Sequence, residues 1–105
     1  MRRGEVWWAE LPPPAGRRPV VLLSRDIAYR VRTSVTVGIV TRVARNIPVE
    51  VPLGLEDGMP HKCVVNLDDI LTIPKARLAA RITALSPQKM TAVARAVIFA
   101  LDLKV

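Results

Sequence analysis

GRRPVVLLS, residues 16–24, places two adjacent arginines directly before a short aliphatic run. The run at residues 20–23 is partly β-branched and lies between Pro19 and Ser24, a pattern typical of a strand that is buried on both faces. Because a proline biases the residue before it toward extended backbone, Arg18 is held at the mouth of that strand. Two interpretations are open: a guanidinium that holds a phosphate, or a solvated basic pair at a sheet edge.

The chain carries a large excess of positive charge. Its 105 residues include 16 Lys and Arg against 9 Asp and Glu, which gives a formal net charge of +7. The length predicts a single domain over residues 1–105, and the charge favours an anionic partner, most often nucleic acid. Most of the basic residues are arginines, whose planar fork suits phosphates and base edges.

The sequence shows no sign of export or membrane insertion. Cys63 is the only cysteine, so no disulfide can form within the chain. The positively charged start, MRRGEVWW, is not followed by an apolar stretch, and the longest apolar run, AVIFAL at residues 96–101, is too short to span a bilayer. We therefore expect a cytoplasmic protein without a membrane partner.

Short strands with short connections fill most of the chain. The patterns predict strands at residues 4–11, 20–24, 34–41, 48–53, 63–67 and 70–73, the last two around a tight corner at Asp68 and Asp69. One or two helical turns are expected at residues 25–32, and a helical turn followed by a last strand at 74–83. This order predicts a small, mainly antiparallel barrel or curled sheet.

Residues 86–101 have the clearest helical pattern. Ser86 suits the N-cap, and Pro87 suits the first helical position. Met90, Val93, Val97 and Leu101 recur at spacings of three and four, so we expect them to face the sheet.

Several familiar catalytic arrangements do not fit. A Ser-His-Asp hydrolase would depend on His61, which lies in a turn-rich loop, and no Gly-x-Ser-x-Gly elbow surrounds Ser24. His61 and Cys63 stand two residues apart without a second pair of ligands, which falls short of a tetrahedral zinc site. We therefore predict no metal site and no cofactor.

What remains is an arginine and a hydroxyl at neighbouring strand ends. Arg18 opens the second strand, and Thr41 closes the third. If these strands are antiparallel, the start of one lies beside the end of the other, and both side chains can face one anionic group. Thr41 can equally be a strand-end residue that suits β structure.

Five stretches resemble the MazF/PemK toxins in order and spacing. They are RRGEVWWAEL, the loop into RRPVVLLS, VGIVTR, CVVNLDDILTI, and RLAARITALSP with its terminal helix. The match covers nearly the whole chain. The resemblance implies a fold that is mainly β with α, a small SH3-like antiparallel barrel of the CcdB/PemK type with a C-terminal helix.

The resemblance also implies a function. These toxins are endoribonucleases that cut single-stranded RNA at short sequences without metal, usually as homodimers, and a cognate antitoxin silences them. By position, the arginine of their Arg-Pro motif falls on Arg18 and the threonine that ends their third strand falls on Thr41, which are the predicted catalytic residues. Family members often carry a glutamate in the loop before Arg-Pro, whereas PPPAG has none.

The expected chemistry is attack by the 2′-hydroxyl of the RNA on its own phosphate. Arg18 would stabilise the charge that develops on the phosphoryl oxygens, and Thr41 would orient the phosphate. The positive charge also predicts that the antitoxin is acidic.

Further residues are candidates for RNA binding. Asn66 and Asp69 would contact base edges, although an ordinary turn role is equally open for Asp69. Arg17, Arg42 and Arg45 would hold flanking phosphates, or they form a solvated surface.

Two other functions compete with the nuclease. One is a toxin similar to CcdB, which binds DNA gyrase through its C-terminal end, but the tail FALDLKV lacks the Trp-Gly-Ile ending of those proteins. The other is a basic RNA-binding module without chemistry, to which the missing loop glutamate points.

Overall fold

The computed structural model describes residues 1–105 as one six-stranded antiparallel sheet with a C-terminal helix. The strands lie in the order β4-β5-β3-β2-β1-β6. The elements are β1 (Glu5–Glu10), β2 (Arg17–Leu22), α1 (Ala28–Val31), β3 (Ser34–Thr41), β4 (Glu50–Leu53), β5 (Cys63–Pro74), β6 (Leu78–Ala84) and α2 (Pro87–Leu101). Short 3₁₀ turns occupy Leu55–Asp57 and Lys75–Arg77. The predicted mainly β architecture with a terminal helix is confirmed.

Strand β2 lies between β1 and β3 and is buried on both faces, as its aliphatic run predicts. Val20, Val21 and Leu22 are each 0% exposed. Val21 belongs to the hydrophobic cluster that α2 covers through Val93, whereas Val20 and Leu22 belong to a second cluster with Tyr29. Burial of each such side chain is worth about 1.5–3 kcal/mol, so the position of β2 is strongly determined.

The predicted corner at Asp68 and Asp69 is wrong, because β5 runs unbroken from Cys63 to Pro74. The register with β3 pairs Gly38 with Ile70 and the next residue, Ile39, with Asn66. Residues 67–69 are therefore a bulge without partners on β3. The chain continues as a strand because β3 pairs with it on both sides of the bulge.

Helix α2 begins as the sequence predicts, with Pro87 in its first turn and the Ser86 hydroxyl accepting the Lys89 N–H at 3.1 Å. Val93 is fully buried. Leu101 is 56% exposed but lies on the expected side of the helix, since it lines a groove together with Leu23 and with Ile70 of β5. Neither helix has the length and apolar character needed to cross a lipid bilayer.

The segment between β4 and β5 is fixed at Gly58. This residue has a φ of 86°, in the left-handed region that favours glycine. A Cβ at this position would lie 2.9 Å from the Thr83 Cβ, and the Thr83 hydroxyl donates to the Asp57 carbonyl at 2.9 Å. The turn thus directs residues 59–62 back across the sheet.

We expect Gly58→Ala to lower the free energy of unfolding by more than about 2 kcal/mol, since a left-handed backbone costs about 1–2 kcal/mol and the methyl group also meets Thr83. Gly16→Ala is the matched control, because Gly16 has a φ of 65° and nothing within 4 Å of its added Cβ. Urea unfolding of both variants measures the difference. An equal loss of unfolding free energy in the two variants would show that the added contact with Thr83 does not destabilise the fold.

Candidate active site

Arg18 and Thr41 meet at one end of the paired strands β2 and β3. The strands are antiparallel, as predicted, and their register pairs Val20 with Ile39. Continuing this register by two residues brings Arg18 level with Thr41. Both side chains line the same cavities, so the strand pairing places the guanidinium and the hydroxyl together.

The Arg18 side chain is half-buried and oriented by the loop before it. Its Nε donates a hydrogen bond to the Ala15 carbonyl at 3.0 Å. The terminal nitrogens, Nη1 and Nη2, therefore remain as the donors for an anion. A planar guanidinium held in this way is suited to bidentate binding of phosphate.

The Thr41 hydroxyl also has a defined orientation. Its Oγ1 accepts the Val43 N–H at 3.3 Å, immediately after the end of β3. The hydroxyl proton is left free, so Thr41 can donate to an anionic oxygen in front of the strand ends.

Two adjoining cavities share Arg18, Thr41 and Ala15 in their walls. The first cavity, of about 330 Å³, extends toward β1 and the segment before β5, and its other polar residues are Arg17, Arg42, His61 and Cys63. The second cavity, of about 420 Å³, extends toward the bulge of β5, and its other polar residues are Arg45, Glu50, Asn66 and Asp69. The structure thus brings all seven residues singled out from the sequence to one continuous surface.

The arginines of this surface differ in how they are held. Arg17 forms an ion pair with Glu10, and its guanidinium carbon lies 5.0 Å from the centre of the Trp8 ring. Arg42 is exposed and forms no ion pair. Arg42 is thus the freer cation of the first cavity, whereas Arg17 is held against β1.

Asn66 shapes the bulge as well as the second cavity. The side chain is only 8% exposed, and its Oδ1 accepts the Asp68 N–H at 2.9 Å. The amide NH₂ is therefore the part left to contact a ligand. The paired contact of a free asparagine with an adenine edge uses both groups, so Asn66 is better suited to donate to an acceptor.

Glu50 is a site residue that the sequence analysis missed. Its Oε1 accepts the N–H groups of Arg45 and Asn46 at 2.8 and 3.1 Å, which fixes the loop between β3 and β4. Its Oε2 is buried without a hydrogen-bond partner. No sequence signal points to this role, because the alternation of the edge strand places Glu50 on the face opposite the buried Val51 and Leu53.

His61 is the second residue that sequence reasoning missed. The sequence pattern suggests His61 only as a partner of Ser24 or Cys63, and neither pairing fits a known kind of site. The structure instead brings this imidazole to the wall of the first cavity, together with Arg18 and Thr41. No sequence signal could have revealed this, because the position depends on the path of residues 54–62.

Cys63 is present in the first cavity as a thiol. Burial raises its pKa, the negative charge of Asp57 raises it further, and Arg42 opposes these effects. The group is therefore a poor nucleophile and a poor proton acceptor near neutral pH. No three His, Cys, Asp or Glu side chains of the structure come together in a group suited to a metal ion.

The chain matches a family model along almost its full length. The model is described as a PemK-like, MazF-like toxin of type II toxin–antitoxin systems, and it matches residues 2–101. The probable endoribonuclease MazF2 of Mycobacterium tuberculosis is 44% identical over 92 residues, which cover 86% of this chain and 87% of the relative. The probable endoribonuclease MazF5 of the same organism is 39% identical over 101 residues, which cover 95% of this chain and 92% of the relative.

Solved structures with the same fold agree with this match. The Mycobacterium tuberculosis toxin MazF-mt6 superposes with a TM-score of 0.89 at 32% identity, covering 96% of this chain and 99% of that one. An endoribonuclease in complex with its cognate antitoxin, from a mycobacterial species, also superposes with a TM-score of 0.89 at 27% identity, covering 100% of this chain and 98% of that one. The predicted PemK-type fold is therefore confirmed.

We expect the Cys63 thiol to react with iodoacetamide at pH 7.5 at least about tenfold more slowly in the folded chain than in urea, because a raised pKa leaves less thiolate and burial restricts access. Mass spectrometry of timed samples measures the rate. Equally fast labelling in both states would show that the thiol is exposed and reactive.

Proposed function

This chain belongs to the PemK-like, MazF-like toxins of type II toxin–antitoxin systems, and we propose that it cuts RNA where Arg18 and Thr41 meet. The chain is a toxin endoribonuclease, as its relatives are. The observation that carries the proposal is the register of β2 and β3, which opposes the two side chains where the two cavities join.

The proposed reaction uses the 2′-hydroxyl of the RNA as its nucleophile. This group already lies next to the phosphorus, so the protein has to orient the backbone and stabilise the transition state. The Nη groups of Arg18 donate to the phosphoryl oxygens as their charge develops, and the Thr41 hydroxyl donates to the same phosphate. The upstream product is a 2′,3′-cyclic phosphate, and the step as proposed needs no metal ion.

The two cavities suggest a path for single-stranded RNA. In the first cavity Arg42, with Arg17 behind it, binds a phosphate on one side of the cut, and Arg45 of the second cavity binds one on the other side. Asn66 and Asp69 contact the edge of a base. Such edges are available in single-stranded RNA, where bases are not stacked in a duplex.

As a type II toxin, the chain has an antitoxin partner, and a relative of the same fold is known in complex with its own. We propose that this antitoxin is acidic and covers the Arg18 cleft, because the net charge of +7 favours carboxylates there. We also propose that the chain works in the cytoplasm as a homodimer. The side chains of Phe99 and Leu101 on α2 are apolar and exposed, which supports a dimer in which a second copy of the chain covers them.

Neither competing function is favoured by the comparisons. A gyrase-binding toxin would not need an arginine and a hydroxyl opposed in a basic cleft. An RNA-binding module without chemistry is at odds with relatives named as endoribonucleases. The nuclease therefore remains the function that the site supports best.

We expect Arg18→Ala to lower the single-turnover rate of RNA cleavage by about 100- to 1,000-fold, the usual loss when one preorganised donor is removed. The variant should stay folded, since it loses one hydrogen bond to Ala15 worth about 1 kcal/mol. Arg77→Ala is the matched control, because it removes the same charge from a residue that lines neither cavity. An equal loss of cleavage rate in the two variants would mean that Arg18 acts only through its contribution to the net positive charge of the chain.

We expect cleavage to continue in excess chelator and to stop when the nucleotide 5′ to the scissile phosphate is 2′-deoxy. This substitution removes the proposed nucleophile and leaves most binding contacts in place. Electrophoresis measures cutting, and mass spectrometry identifies the cyclic phosphate. Cutting of the deoxy substrate at the same bond and a comparable rate would require attack by water or by a protein group.

A further inference from the structure

The proposed reaction leaves one proton without an acceptor. Before the 2′-oxygen can attack, its hydroxyl proton has to leave, and a guanidinium is always protonated at neutral pH. A threonine hydroxyl is too weak a base to take the proton. The loop at residues 12–16, close to Arg18, contains no titratable side chain. The acceptor must therefore come from elsewhere in the two cavities.

The first cavity offers two titratable groups that are not arginines, His61 and Cys63. Burial keeps Cys63 in the thiol form, so it has no lone pair of useful basicity. His61 is exposed and makes no hydrogen bond within the chain, so both of its ring nitrogens are free for a ligand. Imidazole is also the side chain whose ordinary pKa suits proton transfer near pH 7.

The second cavity offers two carboxylates that are less suitable. Glu50 binds two backbone N–H groups through Oε1, and its Oε2 is enclosed by protein. Asp69 is exposed on the bulge of β5, on the side of the proposed base contacts. A carboxylate is intrinsically a weaker base than an imidazole.

Resting on the proposed function, we infer that His61 is the general base of the cleavage reaction. A ring nitrogen of the uncharged imidazole takes the 2′-hydroxyl proton, the 2′-oxygen forms a bond to phosphorus, and the bond from phosphorus to the 5′-oxygen breaks. The departing 5′-oxygen takes a proton from water in the open cavity. The imidazolium returns its proton to solvent, so the enzyme is regenerated.

The charges around His61 are consistent with this role. Three arginines line the same cavity, Arg17, Arg18 and Arg42. The other titratable group in the wall is the Cys63 thiol. Outside this cavity, His61 also lines a groove with the exposed Glu56 and with Lys62, which carry opposite charges. An uncharged imidazole has a free ring nitrogen that can accept a proton. In the inferred mechanism the arginines bind the phosphate, and the imidazole lines the same cavity as the proton acceptor.

The test compares His61→Gln with the wild type on an oligonucleotide that contains one mapped cut site. We expect the single-turnover rate at pH 7.5 to fall by about 100-fold or more, within the usual range for general acid–base catalysis. Affinity for the uncleavable 2′-deoxy oligonucleotide should change less than about threefold. Lys62→Gln is the control, because this exposed neighbour lines neither cavity and should cut at the wild-type rate.

The pH profile separates catalysis from binding or folding. In the wild type the rate should rise with pH on the acid side and then level off, as expected when a single base has to lose its proton before the reaction. His61→Gln should lose this rise. A rise that persists in His61→Gln would show that another group is the base and would overturn the inference. A loss confined to affinity would also overturn it, because His61 would then only bind RNA.

A substrate with sulfur in place of the 5′-bridging oxygen separates the two proton-transfer roles. Sulfur leaves without being protonated, so this substrate restores the rate of a variant that lacks a general acid but not of one that lacks a general base. We expect His61→Gln to be slowed as much on the sulfur substrate as on the ordinary one. Recovery of its cleavage rate on the sulfur substrate would overturn the assignment of His61 as the general base. Full activity of His61→Gln would overturn the inference but leave the proposed function intact. The proposed function would be contradicted by full activity of Arg18→Ala or by cutting of the 2′-deoxy substrate.

Discussion

The pairing of β2 with β3 is the constraint on which the rest of the molecule depends. Both faces of β2 are buried, each in its own hydrophobic cluster. If the pairing of β2 with its neighbours shifted by one residue, the side chains of each face would move to the other face and into the wrong cluster. When the register of β2 with β3 is continued past its last pair, Val20 with Ile39, it brings Arg18 level with Thr41, and both residues line the same cavities. The energy that stabilises the core therefore also sets the geometry of the cleft, and the two side chains need little further support.

Several other residues of the site come from loops and from the bulge of β5. The loop between β3 and β4 carries Arg45 and is fastened by Glu50. The segment between β4 and β5 turns at Gly58 and carries His61 to the first cavity. The bulge of β5 supplies the wall of the second cavity. The proposed contacts to RNA bases and flanking phosphates would thus depend on local hydrogen bonds at a few positions, whereas the proposed contact of Arg18 with the scissile phosphate would depend on the sheet itself.

The sequence predicts those parts of the fold that rest on local patterns. The aliphatic run after Arg18, the alternation that ends at Thr41 and the Ser86 cap all lie where the structure has them. The corner expected at Asp68 and Asp69 is a bulge, because pairing with β3 on both sides overrides the turn preference of two aspartates. His61 and Glu50 lie beyond such reasoning, since their places depend on contacts between segments far apart in sequence.

The division between sheet and loops has a chemical consequence. Stabilising a phosphorane requires a donor that does not move as charge develops, because reorganisation at that moment raises the barrier. Arg18 meets this requirement, since β2 and the Ala15 carbonyl hold it. A general base has a different requirement, because it takes one proton and then returns it to solvent. An exposed imidazole in a loop meets it better than a side chain fixed on a buried strand would, and so the two proposed tasks would fall to different parts of the structure.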